Sequence, residues 1–234
     1  MKKKHSISIY SGDSKVAVIL GEQGSGKTSL FLRLVKGTFP AQDGPGSYNY
    51  VPGVCEPVFI DVDLPEPPPG TEKAVQKRKQ EPIQVTLMDI MGRTHDCDGL
   101  PALMFAPYDP AVVFICFSVV RSWGGTVQVM DSLEQWLEVS KHHFVKGTRY
   151  VLVACQVDSR ETMSASSRIE FVSPDQGLTI AQRIGAAGYI ECSAKTGEGI
   201  DAIQSEIASS LWNLQYKSRW STHWESLKGQ CIVC

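Results

Sequence analysis

The 234-residue chain has no stretch approaching the roughly 20 consecutive apolar residues that a bilayer-spanning helix needs, so a helical membrane span is not expected. Nor is there an excess of basic charge: 23 Lys and Arg against 25 Asp and Glu leave a formal charge of −2. A protein whose main partner is nucleic acid normally carries a strong basic surplus, so that class is excluded as an expectation. The basic N-terminus, MKKKHSISIY, is broken by SGDSK before any apolar segment follows, which argues against a secretory signal. Internal repeats and a second domain are also lacking. The seven cysteines lie scattered at 55, 97, 116, 155, 192, 231 and 234. Cys116 and Cys155 sit inside apolar runs and read as small buried hydrophobes, which fits a reduced, intracellular setting.

What is present is an ordinary globular composition, 42% apolar and 21% charged, in a chain long enough for one sizeable core. Short apolar runs alternate with helix-like segments. Strands are expected at Val16–Leu20, Val58–Leu64, Ile83–Asp89, Val112–Val119, Tyr150–Cys155 and Tyr189–Cys192. Helices are expected at Lys27–Lys36, Val127–His142, Pro174–Ile184 and Gly199–Leu214. In the last, Ile200, Ile203, Ile207, Leu211 and Leu214 share one face. Such alternation implies a mostly parallel sheet covered on both sides. Two strands, Val58–Leu64 and Ile83–Asp89, have no helix between them and are expected to pair antiparallel at the sheet edge. The intervening PEPPPGTEKAVQKRKQEP, residues 65–82, is too rich in proline and charge to order itself and reads as a mobile loop. Its KRK run is either a contact for an acidic partner or simply solvated.

Four strand ends carry chemistry. After Val16–Leu20 comes Gly21-x4-Gly26-Lys27-Thr28 within GEQGSGKTSL, the spacing of a phosphate-binding loop. Its glycines let backbone N–H groups approach phosphate oxygens at a helix N-terminus. Lys27 adds a positive charge, and the Thr28 hydroxyl can ligate Mg²⁺. Asp89-Ile90-Met91-Gly92 closes the third strand, where the carboxylate can support Mg²⁺ and the glycine can meet a terminal phosphate. Asp and Gly are also common turn residues, so this tetrad is weak alone. Cys155-Gln156-Val157-Asp158 closes another strand; its carboxylate either accepts hydrogen bonds from guanine N1 and the exocyclic amine or merely opens a loop. Glu191-Cys192-Ser193-Ala194-Lys195 follows the last strand.

In this order and spacing the four motifs resemble those of a small GTPase of the Ras superfamily, and within it the Rho family, over about residues 14–212. The Rho flavour rests on Phe39-Pro40, Tyr50-Val51-Pro52, VFICFSVV (113–120), Gln176-Gly177-Leu178, ECSAK (191–195) and an insert-like stretch, Glu161 to Asp175. The resemblance implies a three-layer α/β fold of the P-loop NTPase type, with a six-stranded, mostly parallel sheet and helices on both faces. It divides the chain into an N-terminal extension (1–13), a G domain (14–214) with insertions at 41–49 and 65–82, and a C-terminal tail (215–234). It further implies GTP or GDP with Mg²⁺ as ligands. Gly21, Gly24, Ser25, Gly26, Lys27, Thr28 and Ser29 would hold phosphates, with Thr28 and Asp89 as metal ligands and Gly92 at the terminal phosphate. Phe39 would flank the guanine, Asp158 would read it beside Gln156, and Ser193, Ala194 and Lys195 would close over the base.

The sequence departs from the resemblance at one place above all, the surroundings of the terminal phosphate. Gln23 stands where the family has glycine, and Arg93 where it has a water-orienting glutamine; these are the candidate catalytic positions, both atypical. A guanidinium has only donors and cannot accept a hydrogen bond from the attacking water. Gly53 replaces a switch threonine, Met91 a small alanine, and the stretch 41–49 lengthens a connection that is short in the family. Cys155 replaces the usual Asn or Thr. The expectation is a GTP-binding signalling protein that hydrolyses GTP slowly. The alternative is a pseudo-GTPase scaffold with little nucleotide dependence; a P-loop nucleoside kinase is disfavoured by Asp158 and Ser193-Ala194-Lys195. Implied partners are effectors near Tyr50 to Val58 and after Gly92, exchange factors and a dissociation inhibitor.

The chain ends in Cys231-Ile232-Val233-Cys234, a C-a-a-X pattern with an atypical last residue. A Cys-x-x-Cys metal or redox pair is the competing reading, without a second Cys/His pair to support it. Prenylation at Cys231 would place the protein on the cytoplasmic face of a membrane, the plasma membrane foremost, with a cytosolic pool. A single prenyl chain anchors weakly, and Lys217, Arg219, Lys228, Trp220 and Trp224 would supplement it.

Overall fold

The computed structural model describes residues 15–39, 57–64, 82–90, 109–120, 125–144, 147–163 and 170–216. Six strands alternate with helices: β1 (Val16–Gly21), α1 (Lys27–Lys36), β2 (Val58–Val62), β3 (Ile83–Asp89), β4 (Val112–Ser118), α2 (Gly125–His143), β5 (Arg149–Cys155), α3 (Ser159–Met163), α4 (Pro174–Ile184), β6 (Gly188–Cys192) and α5 (Ile200–Tyr216). The order across the sheet is β2-β3-β1-β4-β5-β6. All neighbouring pairs are parallel except the antiparallel β2–β3 pair at the edge.

The central strands have no polar side to offer. Every residue of β1 is buried, as are all but the last of β4, which is why they read as unbroken apolar runs rather than alternating ones. Alternate side chains feed two cores. On one face Val18, Leu20, Val113, Ile115 and Leu152 meet Trp136 and Leu137 of α2 and Ile180 of α4. On the other, Ala17, Ile19, Phe114 and Val153 meet Leu30 and Phe31 of α1 and Ile203 and Ile207 of α5. This is the three-layer sandwich expected.

Helix α4 starts where its chemistry dictates. Ser173 Oγ accepts from the Gln176 N–H at 3.2 Å, Gln176 Oε1 accepts from the Ser173 N–H at 2.9 Å, and Pro174 fills the first turn. The stretch Glu161 to Asp175 is therefore not one inserted element. Its start completes α3, Phe171 bridges antiparallel to Val120, and Pro174 and Asp175 open α4. Residues 164–169 between them lie outside the described residues. The short helix α3 was not expected, because five residues carry no periodic signal. Among the described residues no helix is long and apolar enough to cross a membrane.

Candidate functional site

The C-terminal ends of β1, β3, β5 and β6 lie on the same side of the sheet, the side on which open α/β sheets receive ligands. The first loop is the turn from β1 into α1. Gly21, Gly24 and Gly26 all have positive φ (140°, 83° and 92°), a region where residues with a Cβ are strained. At Gly21 a Cβ would also lie 2.2 Å from the Cys116 carbonyl oxygen of β4, so the loop leaves β1 against its neighbour. Gly26 precedes α1 directly, and no side chain caps that N-terminus. Its N–H groups are left for an anion.

Lys27 is 7% exposed, and its ammonium donates to the Glu22 carbonyl at 3.3 Å, folding back over the loop. Asp89, at the end of β3, is 3% exposed, and neither carboxylate oxygen has a hydrogen-bond partner. Burial raises its pKa, against the opposing pull of the Thr28 hydroxyl and the Lys27 charge. A buried, unpartnered carboxylate beside a threonine hydroxyl is an all-oxygen donor set of the kind hard divalent cations take. The residues present therefore fit Mg²⁺. Ser25 is also buried with its hydroxyl unpartnered.

The third loop follows β5. Gln156 adopts φ 65°, the only positive value for a non-glycine among the described residues. Its side chain donates to the Gly24 carbonyl at 3.0 Å and accepts from Ser118 Oγ at 2.7 Å. Asp158 Oδ1 accepts from Ser193 Oγ at 2.7 Å, and Lys195 Nζ stands 3.9 Å from Oδ2. A cleft of about 500 Å³ opens beside Asp158, bounded by Val157, Arg160, Glu161, Thr196 and Glu198. Arg160 anchors this loop from behind: it donates to both Glu191 carboxylate oxygens at 2.7 and 2.8 Å and to the Val172 carbonyl at 3.0 and 2.7 Å. Tyr189 OH donates to the same Glu191 at 2.6 Å.

The structure thus brings Gly21, Gly24, Ser25, Gly26, Lys27, Thr28 and Asp89 together, and joins Gln156 to the first loop and Asp158 to Ser193. Ser29 lies in the first turn of α1, Ala194 and Lys195 in the turn after β6, and Phe39 two residues beyond the Gly37 cap of α1. Gln23 is exposed at the tip of the first loop. Gly53, Gly92, Arg93 and Cys231 lie outside the described residues. Sequence reasoning gave no role to Ser118, Arg160 or Glu191. A polar residue ending the apolar run Val112–Ser118 was the available signal for the first; Glu191 opens the motif at the end of β6, but its pairing with Arg160 joins positions 31 apart and leaves no mark in the sequence.

A sequence model of the Ras family matches residues 72–213. Over 223 residues the chain is 36% identical to the GTP-binding protein RHO1 of Candida albicans, covering 92% of this chain and 93% of that protein. It is 33% identical over 204 residues to the GTP-binding protein RHO1 of Saccharomyces cerevisiae, with coverage of 83% and 82%. The Rho-related GTP-binding protein RhoD of Homo sapiens is 26% identical over 222 residues, with coverage of 92% and 90%.

Proposed function

This chain belongs to the Ras family as a Rho-like small GTPase, and from that premise we propose that it binds GTP and GDP with Mg²⁺, hydrolyses GTP slowly and acts in signal transduction. The observation that carries the reading is the arrangement of Lys27, Thr28 and Asp89 at an uncapped helix N-terminus: a buried cation and a buried, unpartnered carboxylate beside free backbone donors. Lys27 and the loop N–H groups hold the phosphates. Thr28 and Asp89 hold Mg²⁺, which when bound neutralises phosphate charge. Asp158, fixed by Ser193, accepts from guanine N1 and the exocyclic amine; adenine presents no such pair of donors. Phe39 flanks the base, and Ala194 and Lys195 close over it.

Slow hydrolysis follows from three positions that the family resemblance assigns to the terminal phosphate. Gln23 puts a side chain where the attacking water and an arginine finger would approach, Arg93 has no acceptor with which to orient that water, and Gly53 has no hydroxyl. Losses of this kind are comparable to the roughly 10³–10⁵ that an arginine finger supplies. Effectors engage the residues near Tyr50 to Val58 and after Gly92, and prenylation of Cys231 tethers the protein to the cytoplasmic face of a membrane. Denaturing the purified protein and chromatographing what it releases tests the core of this reading. Stoichiometric GTP supports a long-lived bound state, GDP means that hydrolysis survives, and no nucleotide favours a scaffold. Single-turnover hydrolysis at an ordinary small-GTPase rate would refute the slow step. Unchanged membrane partition of Cys231→Ser would refute the anchor.

A further inference from the structure

One chain of hydrogen bonds crosses from β4 to the phosphate loop, and its direction is fixed at the loop end. The Val120 backbone N–H donates to Ser118 Oγ at 3.1 Å; Ser118 Oγ–H donates to Gln156 Oε1 at 2.7 Å; Gln156 Nε2–H donates to the Gly24 carbonyl at 3.0 Å. An amide N–H can only donate and a carbonyl can only accept. Val120 takes one lone pair of the Ser118 hydroxyl; because the Gly24 carbonyl can only accept, the Gln156 amide faces it with Nε2, which leaves Oε1 for the single Ser118 proton. The acceptor end of the Gln156 amide therefore turns toward β4 and the donor end toward the loop.

Two further features show that this orientation matters. Gln156 holds a left-handed backbone, φ 65°, which a residue with a Cβ keeps only where its surroundings hold it there. Its side chain also lies against the start of α1: a Cβ built on Gly26 would be 3.5 Å from Gln156 Nε2 and 3.6 Å from its Cγ. Gln156 thus braces the segment Gly24 to Gly26 whose N–H groups face the phosphate site, and it does so only with its amide the right way round.

The geometry points to Ser118 as a positioning residue: by donating to Gln156 Oε1 it holds the amide that braces the phosphate loop, and so slows nucleotide release. This inference rests on the nucleotide-binding reading above. Ser118 itself need not touch the nucleotide; it acts through Gln156.

The test is release of fluorescently labelled GDP from the full-length protein in excess unlabelled GDP. Ser118→Ala releases about fivefold faster, the scale for losing one hydrogen bond, whereas Ser118→Thr, which keeps a hydroxyl, stays near wild type. A lysine at 156 presents only donors, so its contact with Gly24 needs no orienting partner. In a Gln156→Lys background Ser118→Ala therefore leaves release unchanged. Equal acceleration in both backgrounds, or none in Ser118→Ala alone, overturns the inference, since a general packing loss would not depend on residue 156. A wild-type protein that retains no labelled GDP refutes the nucleotide reading itself and takes this inference with it. Retention by wild type with unaltered release from Ser118→Ala refutes the positioning alone.

Discussion

Replacing Arg160 by leucine removes a guanidinium that ties three segments: α3, the backbone at Val172 and β6. Arg160 makes two hydrogen bonds to Glu191 and two to the Val172 carbonyl, and the pair is only 22% and 19% exposed. Breaking a fully buried pair costs about 3–5 kcal/mol, whereas an exposed pair contributes about 0–1 kcal/mol. The low exposure puts this pair near the buried limit, but Tyr189 still donates to Glu191 in the variant. The expected loss is therefore about 2–3 kcal/mol, which for a domain of this size lowers Tm by roughly 5–10 °C. The acid dependence has a definite sign. Burial would raise the Glu191 pKa, but hydrogen bonds from Arg160 and Tyr189, with the Arg160 charge, outweigh it and hold the carboxyl below its ordinary value of 4.5. A depressed carboxyl contributes its full stabilisation above the unfolded pKa and loses it as pH falls through the lower folded value. Urea unfolding followed by tryptophan fluorescence should thus show the full difference between wild type and Arg160→Leu at pH 7, shrinking below pH 4.5. Adding Glu191→Leu should restore part of the loss, because no buried charge is then left unpaired. A difference under about 0.5 kcal/mol at pH 7, the range of ordinary surface substitutions, or one that grows in acid, would refute the reasoning.

Four other outcomes are expected. Gly177→Ala in α4 should destabilise by about 1–3 kcal/mol despite the better helix former, because its Cβ would meet the Tyr189 hydroxyl at 1.9 Å; a higher Tm would contradict this packing. Ile207→Ala, at a site with 0% exposure, should cost about 2–5 kcal/mol in chemical denaturation, whereas Phe59→Ser, at a site 48% exposed on the edge strand, should stay within about 0.5 kcal/mol. In a variant whose remaining cysteines are Cys116, Cys155 and Cys192, thiol labelling should track global unfolding. The three are buried, and thiol–thiol hydrogen bonding with burial holds the Cys155 and Cys192 pKa values well above ordinary; rapid labelling of the folded protein would overturn that account. Asp89→Asn should raise the stability of nucleotide-free, metal-free protein by about 1 kcal/mol, the scale of a relieved unpaired buried group, and a lower midpoint would show Asp89 to be paired.

The fold was legible where a single physical signal dominates. Lys27–Lys36, Ile83–Asp89 and Pro174–Ile184 have the expected bounds, since a glycine loop, an apolar run and a capping box each mark an end sharply. Boundaries shifted where that mark is soft. Helix α5 begins at Ile200 rather than Gly199, whose φ of 70° keeps it outside, and β2 stops at Val62 before the polar Asp63. Residues of the strand-end motifs were readable where the chemistry of each is local to one motif. Ser118, Arg160 and Glu191 were not, because each acts across strands on a partner 31 to 38 positions away. Gln156 is expected beside Asp158 at the guanine, whereas its positive φ and its reach to Gly24 are tertiary facts that the motif does not show.

The site also explains why its own residues are spared from pairing. Elsewhere in these loops polar groups are tied to one another: Asp158 to Ser193, Glu191 to Arg160 and Tyr189, Gln156 to Ser118 and Gly24. Lys27 and Asp89 are buried as deeply, yet Asp89 has no hydrogen bond and Lys27 reaches only a carbonyl. Burial holds the Asp89 carboxyl above its ordinary value despite the Thr28 hydroxyl and the Lys27 charge, so the neighbouring groups compensate its burial only in part. On the proposed function, an anion at Lys27 and a cation at Asp89 would offset that cost together. Binding at a hundredfold excess over Kd adds about 2.7 kcal/mol to the folded state. The surrounding ties do the complementary work: they hold the loops in place before any ligand arrives, so that little of the binding free energy is lost to ordering them.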